Sequence, residues 1–80
     1  MTVTEFLAQD PALLGLFAEG TIRLQVEDND LPYAEKQITK VELRTDDLSF
    51  TEDVTAPMKE AGFTVESVDS DGITLEVVFG

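Results

Sequence analysis

A two-layer α+β sandwich, with a mainly antiparallel four-stranded sheet and two short helices on one face, is the fold this chain predicts, in the order α-β-β-α-β-β. Three observations predict it. The stretches Thr21–Glu27 and Thr39–Thr45 alternate apolar and polar residues with the period of a half-buried strand. An Asp-Pro pair and a glycine bracket an earlier stretch of helical spacing. Near the C-terminus, two apolar runs are joined by Asp69-Ser70-Asp71-Gly72, a hairpin sequence. One apolar sheet face and two amphipathic helices hide their apolar surface most cheaply as two layers. All of residues 1–80 are expected to form a single acidic domain.

In the N-terminal segment, Thr2 or Thr4 caps a first turn through Glu5-Phe6-Leu7-Ala8. Asp10 is a helix N-cap and Pro11 a first helical residue, so a break or bend falls near Asp10. Leu13, Leu14, Phe17 and Ala18 line one helical face, and Gly20 stands where the helix is capped. In the first strand Ile22, Leu24 and Val26 face inward. Glu27-Asp28-Asn29-Asp30 ends it, and Leu31–Ala34 starts a connection with a short helical turn. In the second strand Val41 and Leu43 face inward, and Lys40, Glu42 and Arg44 outward.

The run Leu48-Ser49-Phe50 extends the sheet or forms a loop. Glu52 or Asp53 caps a short helix through Val54–Ala61, stopped by Gly62, with Pro57 acceptable only in its first turn. Phe63–Val68 and Ile73–Phe79 complete the sheet as a hairpin. Ile73, Leu75, Val77 and Phe79 face one way, Thr74 and Glu76 the other. Val78 is exposed or against a partner.

Composition narrows the function. Seventeen acidic residues stand against five basic ones, a formal charge of −12, with no histidine and no cysteine. Apolar residues make up 42% of the chain, an ordinary folded value, so the acidity does not mean disorder. Such an imbalance makes the folded state repel itself and surrounds it with a negative field. Direct binding to nucleic acid or to an anionic membrane is therefore excluded. No cationic leader precedes the apolar run Pro11–Ala18, which is too short to span a bilayer. With no cysteine framework, a cytoplasmic location is expected.

No general base, thiol nucleophile, Gly-rich phosphate loop or Ser-centred elbow is present, so the chain reads as non-enzymatic and without a cofactor. Asp69-x-Asp71-Gly72 resembles a fragment of a calcium loop. Ser67 and Val78 stand where that loop needs ligands, however, so no metal site is expected and the turn reads as a plain hairpin. Glu27, Asp28 and Asp30 form a second acidic group, which reads as solvated loop acids. Arg23, Glu27, Lys40, Glu42 and Arg44 share the outer face of the first two strands, where cross-strand ion pairs are expected.

The acids in stretches poor in bases are the candidate partner-binding residues: Asp46, Asp47, Glu52, Asp53, Glu66, Asp69, Asp71 and Glu76. Alternate residues on a strand are about 6.6–6.8 Å apart, close to the roughly 6–7 Å between phosphates of one nucleic-acid strand. Carboxylates so spaced suit the cationic groove of a nucleic-acid-binding protein, and the field steers them there. In size, acidity and lack of catalytic motifs the chain resembles phage-encoded anti-restriction and anti-CRISPR proteins, a compositional resemblance that covers no motif. It implies a non-enzymatic inhibitor that mimics nucleic acid, its partner a nuclease or a CRISPR effector. Two other readings stand beside it: acidity as adaptation to high salt, or an adaptor- or immunity-type module that binds a basic partner. The mark of the last would be an exposed apolar patch ringed by acids. Monomer and dimer are both left open.

Overall fold

A computed structural model describes residues 1–46 and 52–80, with side chains described in the latter stretch from residue 56 onward. Helix α1 spans Val3–Ala8 and α2 spans Pro11–Glu19; strand β1 is Ile22–Val26, and a 3₁₀ turn covers Tyr33–Glu35. Strand β2 is Ile38–Thr45, helix α3 is Glu52–Glu60, and strands β3 (Val65–Ser70) and β4 (Leu75–Phe79) follow. The sheet is antiparallel throughout, in the order β1-β2-β4-β3. This is the α+β architecture expected.

Local chemistry sets the helix ends. Thr2 Oγ1 accepts the Glu5 N–H at 3.2 Å and Glu5 Oε1 accepts the Thr2 N–H at 3.1 Å, a reciprocal cap on α1. Asp10 is extended (φ −150°), which separates α1 from α2, and its Oδ1 accepts the Ala12 N–H at 2.9 Å. The break turns the predicted N-terminal helical segment into two helices. Gly20 closes α2 at φ 79°, where the Thr21 N–H reaches the Leu16 carbonyl at 2.9 Å. Gly20→Ala places a β-carbon in that left-handed conformation. We expect it to lower stability by about 1–2 kcal/mol, read as a lower urea midpoint at unchanged slope.

Helix α3 is stopped by Gly62 as expected but differs at its start. It starts at Glu52, so Glu52 and Asp53 lie in its first turn instead of capping it, and Pro57 falls in the second turn. The ring of Pro57 is buried, and this burial offsets the hydrogen bond a mid-helix proline forfeits. At the other end Gly62 (φ 93°) donates to Lys59 O, and Phe63 donates to Met58 O at 3.1 Å. That closure ties Phe63 to the helix, so β3 begins at Val65, two residues later than the apolar run predicts.

The hairpin turn is likewise shifted. Asp71 Oδ1 accepts the N–H groups of Ile73 (2.9 Å) and Thr74 (2.7 Å), which fixes the turn at Asp71–Thr74 and leaves Ser70 opposite Leu75. Ile73 therefore leaves the inward row and is 74% exposed. The stretch Leu48-Ser49-Phe50 lies outside the described residues.

Val41, Leu43, Val77 and Phe79 from the central strands meet Val3, Phe6, Leu13 and Met58 from the helical layer, with Ile22, Ile38 and Phe63 completing one core. Phe6 meets Phe63 edge to face at 5.9 Å. The helices cover β1, β2 and β4. Strand β3 overhangs: every residue in it is exposed, including Val65 and Val68, whose cross-strand partners Phe79 and Val77 are buried.

Candidate functional site

The sheet face turned away from the helices is open to solvent. Strand alternation places Arg23 and Gln25, Lys40, Glu42 and Arg44, Glu76 and Val78, and Ser67 and Asp69 on it. Two rows cross the strands. Arg44, Glu76 and Asp69 form one, and Arg23, Glu42, Val78 and Ser67 the other.

Ion pairs were expected between β1 and β2, but β2 makes them with β3 and β4. Lys40 Nζ lies 3.0 Å from Glu66 Oε2, and Arg44 Nε lies 3.4 Å from Glu76 Oε1. The difference arises because β2 is a central strand: Arg44 lies opposite Glu76 on β4, Lys40 reaches past β4 to Glu66, whose carboxylate lies over Gly80, and Glu42 accepts a hydrogen bond from the Gln25 amide of β1. Both pairs are exposed, so each is worth at most about 1 kcal/mol. A shallow depression of about 280 Å³ runs along this face beside Arg23, Glu42, Arg44 and Glu76.

Three of the five cations thus share one face with Glu42, Glu66, Asp69 and Glu76 and nearly neutralise it. Almost all of the net −12 resides elsewhere.

Connectivity decides where the acidic end lies. Strand β2 runs out at Thr45, opposite Leu75, which is in turn opposite Ser70, so Asp46 and the Asp71–Thr74 turn share one end of the sheet. Of the predicted residues, Asp46, Asp69, Asp71 and Glu76 come together there. The side chains of Glu52 and Asp53, and all of Asp47, lie outside the described residues. Glu66 is separated from this group: it is the bulged residue at the far end of β3, paired with Lys40 and folded over the C-terminus, where a β-carbon on Gly80 would strike its carboxylate.

The acidic end is not free of cations, because Arg44 reaches into it. A second depression, about 100 Å³, is lined by Arg44, Asp69, Ser70, Asp71, Thr74 and Glu76. Within it Asp71 is partly structural. The N–H of Thr74, then that of Ile73, holds its carboxyl below the ordinary aspartate range, with a smaller contribution from the Arg44 charge. Because the folded form binds the proton less well, the stabilisation is complete above the unfolded pKa, about 3.9, and is lost as pH falls through the lowered folded value. Asp71→Asn keeps an acceptor oxygen and removes the titration. Urea midpoints between pH 3 and 6 should therefore fall less steeply on acidification in this variant than in the parent. Part of the slope persists because the Thr2 backbone and hydroxyl hold Glu5 low in the same sense.

Among the described residues, no group of three or more acidic side chains is placed to hold a metal ion, and no helix is long and apolar enough to cross a membrane. The surface that the sequence reading missed is the strip of Val65 (46% exposed), Val68 (62%) and Ile73 (74%) on β3 and its turn. Val65 and Val68, three apart in sequence, share a face only because the bulge falls between them.

No protein-family model matches the chain, and no curated protein or solved structure matches it either.

Proposed function

We propose that the protein is a non-enzymatic acidic inhibitor that acts in the cytoplasm as a mimic of nucleic acid, filling the cationic groove of a DNA- or RNA-binding protein such as a nuclease or CRISPR effector. One observation carries this reading: the fold gathers Asp46, Asp69, Asp71 and Glu76, acids from separate stretches of sequence, at one end of the sheet, with Arg44 among them. An end of that kind offers clustered carboxylates to a Lys/Arg groove and is drawn in by the long-range field. Anti-CRISPR and anti-restriction proteins of phages, which the chain resembles in composition, are inhibitors of this type.

Capture from the source organism's lysate at low salt, followed by competition on the captured protein, tests it. Duplex DNA or structured RNA should displace the inhibitor, and 1 M salt should release it. A captured partner with no affinity for nucleic acid, or one whose nucleic-acid binding is unchanged by excess inhibitor, overturns the reading. Acidity as salt adaptation predicts instead that the chain unfolds in dilute buffer, which circular dichroism reads directly.

A further inference from the structure

We infer that β3 is a docking edge for an extended basic segment, which adds to the sheet as a fifth strand and alternates apolar with cationic residues. The inference rests on the proposed function only in taking the partner to be basic. Strand β3 pairs with β4 on one flank and has no strand on the other among the described residues. The Asp71 N–H bonds to the Thr74 carbonyl at 3.3 Å. In an antiparallel ladder the bonded rungs alternate from there, so the backbone groups of Val68 and Ser70 point to the open flank. They are unpaired acceptors and donors of the kind that strand addition uses.

The side chains specify the occupant. On the helix side of β3, Val65 and Val68 stand exposed beyond the reach of the helical layer. On the open side Asp69 faces solvent, with Asp71 just beyond the strand's end, while Glu66 at the other end is paired with Lys40; no cation occurs in β3 itself. An incoming strand would therefore set apolar residues beside Val65 and Val68 and lysine or arginine beside Asp69.

Charge selects this edge over the other one. β1 contains Arg23 and no carboxylate, so a cationic strand gains nothing there. Charge also disfavours a second copy of the chain, because β3 against β3 would bring Glu66 and Asp69 near their own equivalents on two molecules of charge −12 each.

The test uses two synthetic hexapeptides, Lys-Val-Lys-Val-Lys-Val and Glu-Val-Glu-Val-Glu-Val, with blocked termini, added to the full chain and followed by amide hydrogen exchange and NMR shifts. The lysine peptide should slow exchange at the Val68 and Ser70 amides, with Asp69 little changed because its N–H already bonds to β4. The glutamate peptide should do nothing. Val68→Ser and Asp69→Asn, both at exposed positions, should each weaken the lysine peptide about two- to fivefold while leaving the thermal midpoint close to the parent's. Protection elsewhere, equal effects of both peptides, no effect of the lysine peptide, or sedimentation showing a dimer that protects the same two amides overturns the inference. If the lysine peptide docks on β3 while the captured partner ignores nucleic acid, the proposed function alone fails. If it does not dock while nucleic acid still displaces the inhibitor, only this inference fails.

Discussion

Replacing Phe6 with alanine is expected to lower stability by about 3–5 kcal/mol and the thermal midpoint by roughly 12–40 °C. Phe6 is fully buried, sits edge-on to Phe63, and joins α1 to the strands. Its loss removes the burial of a large ring, an aromatic contact, and the packing that keeps a six-residue helix in place. A helix that short has no stability of its own in water, so α1 should be lost together with the contact. An 80-residue domain holds roughly 4–12 kcal/mol in total, so the loss is a large share of the whole, and a parent near the bottom of that range would be largely unfolded by it at 37 °C. Urea titration by circular dichroism reads the effect. A midpoint shift smaller than the one expected for 1 kcal/mol would mean that the N-terminal helices contribute little to the core.

Reversing charge at Asp46 and Asp69 together is the second large effect, and it acts on binding instead of folding. The double substitution Asp46→Lys with Asp69→Lys moves the formal charge from −12 to −8, since each reversal adds two units. Against a cationic groove it should weaken binding by about ten- to a hundredfold at low salt, mostly through the association rate if the contacts are peripheral, and the difference from the parent should shrink as salt rises. The fold should survive. Asp69 stands opposite Glu76 on β4, so a lysine there replaces a like-charge pair with an opposite-charge one, a gain of about 0.2–1 kcal/mol. Asp71 is left out of the pair because its oxygen holds the turn, and its reversal would confuse a broken hairpin with a lost contact. Affinity unchanged at low salt would remove this end of the sheet from the interface.

Much of the architecture was legible because it depends on neighbouring residues. The Asp10-Pro11 start, the Gly20 stop and the in-out alternation of Ile22–Val26 and Val41–Arg44 are local signals, and each reappears in the fold. Local reasoning missed at α3 and the last hairpin, where two signals compete. Phe63 has the character of a strand residue, but the closure at Gly62 ties it to the helix. Asp69-Ser70-Asp71-Gly72 offers two aspartates to the turn, and Asp71 is the one placed to accept two N–H groups.

The candidate site was less legible than the fold. Arg44 and Glu76, and Lys40 and Glu66, lie far apart in sequence, so stretches poor in bases seemed free of counter-charge. Strand order alone brings each cation beside its acid. The same order makes β3 an edge and leaves Val65 and Val68 uncovered, which their identity as valines argues against.

By itself, then, the sequence determined the charge, the residue types, the α+β class and most element boundaries, since these follow from local dihedral preferences and side-chain period. Tertiary structure alone decided which acids stand together, which are neutralised and which apolar residues remain exposed. The physical reason is range: capping and alternation act over a few bonds, while pairing of β2 with β4 joins residues thirty or more positions apart, and only that pairing sets the surface a partner meets.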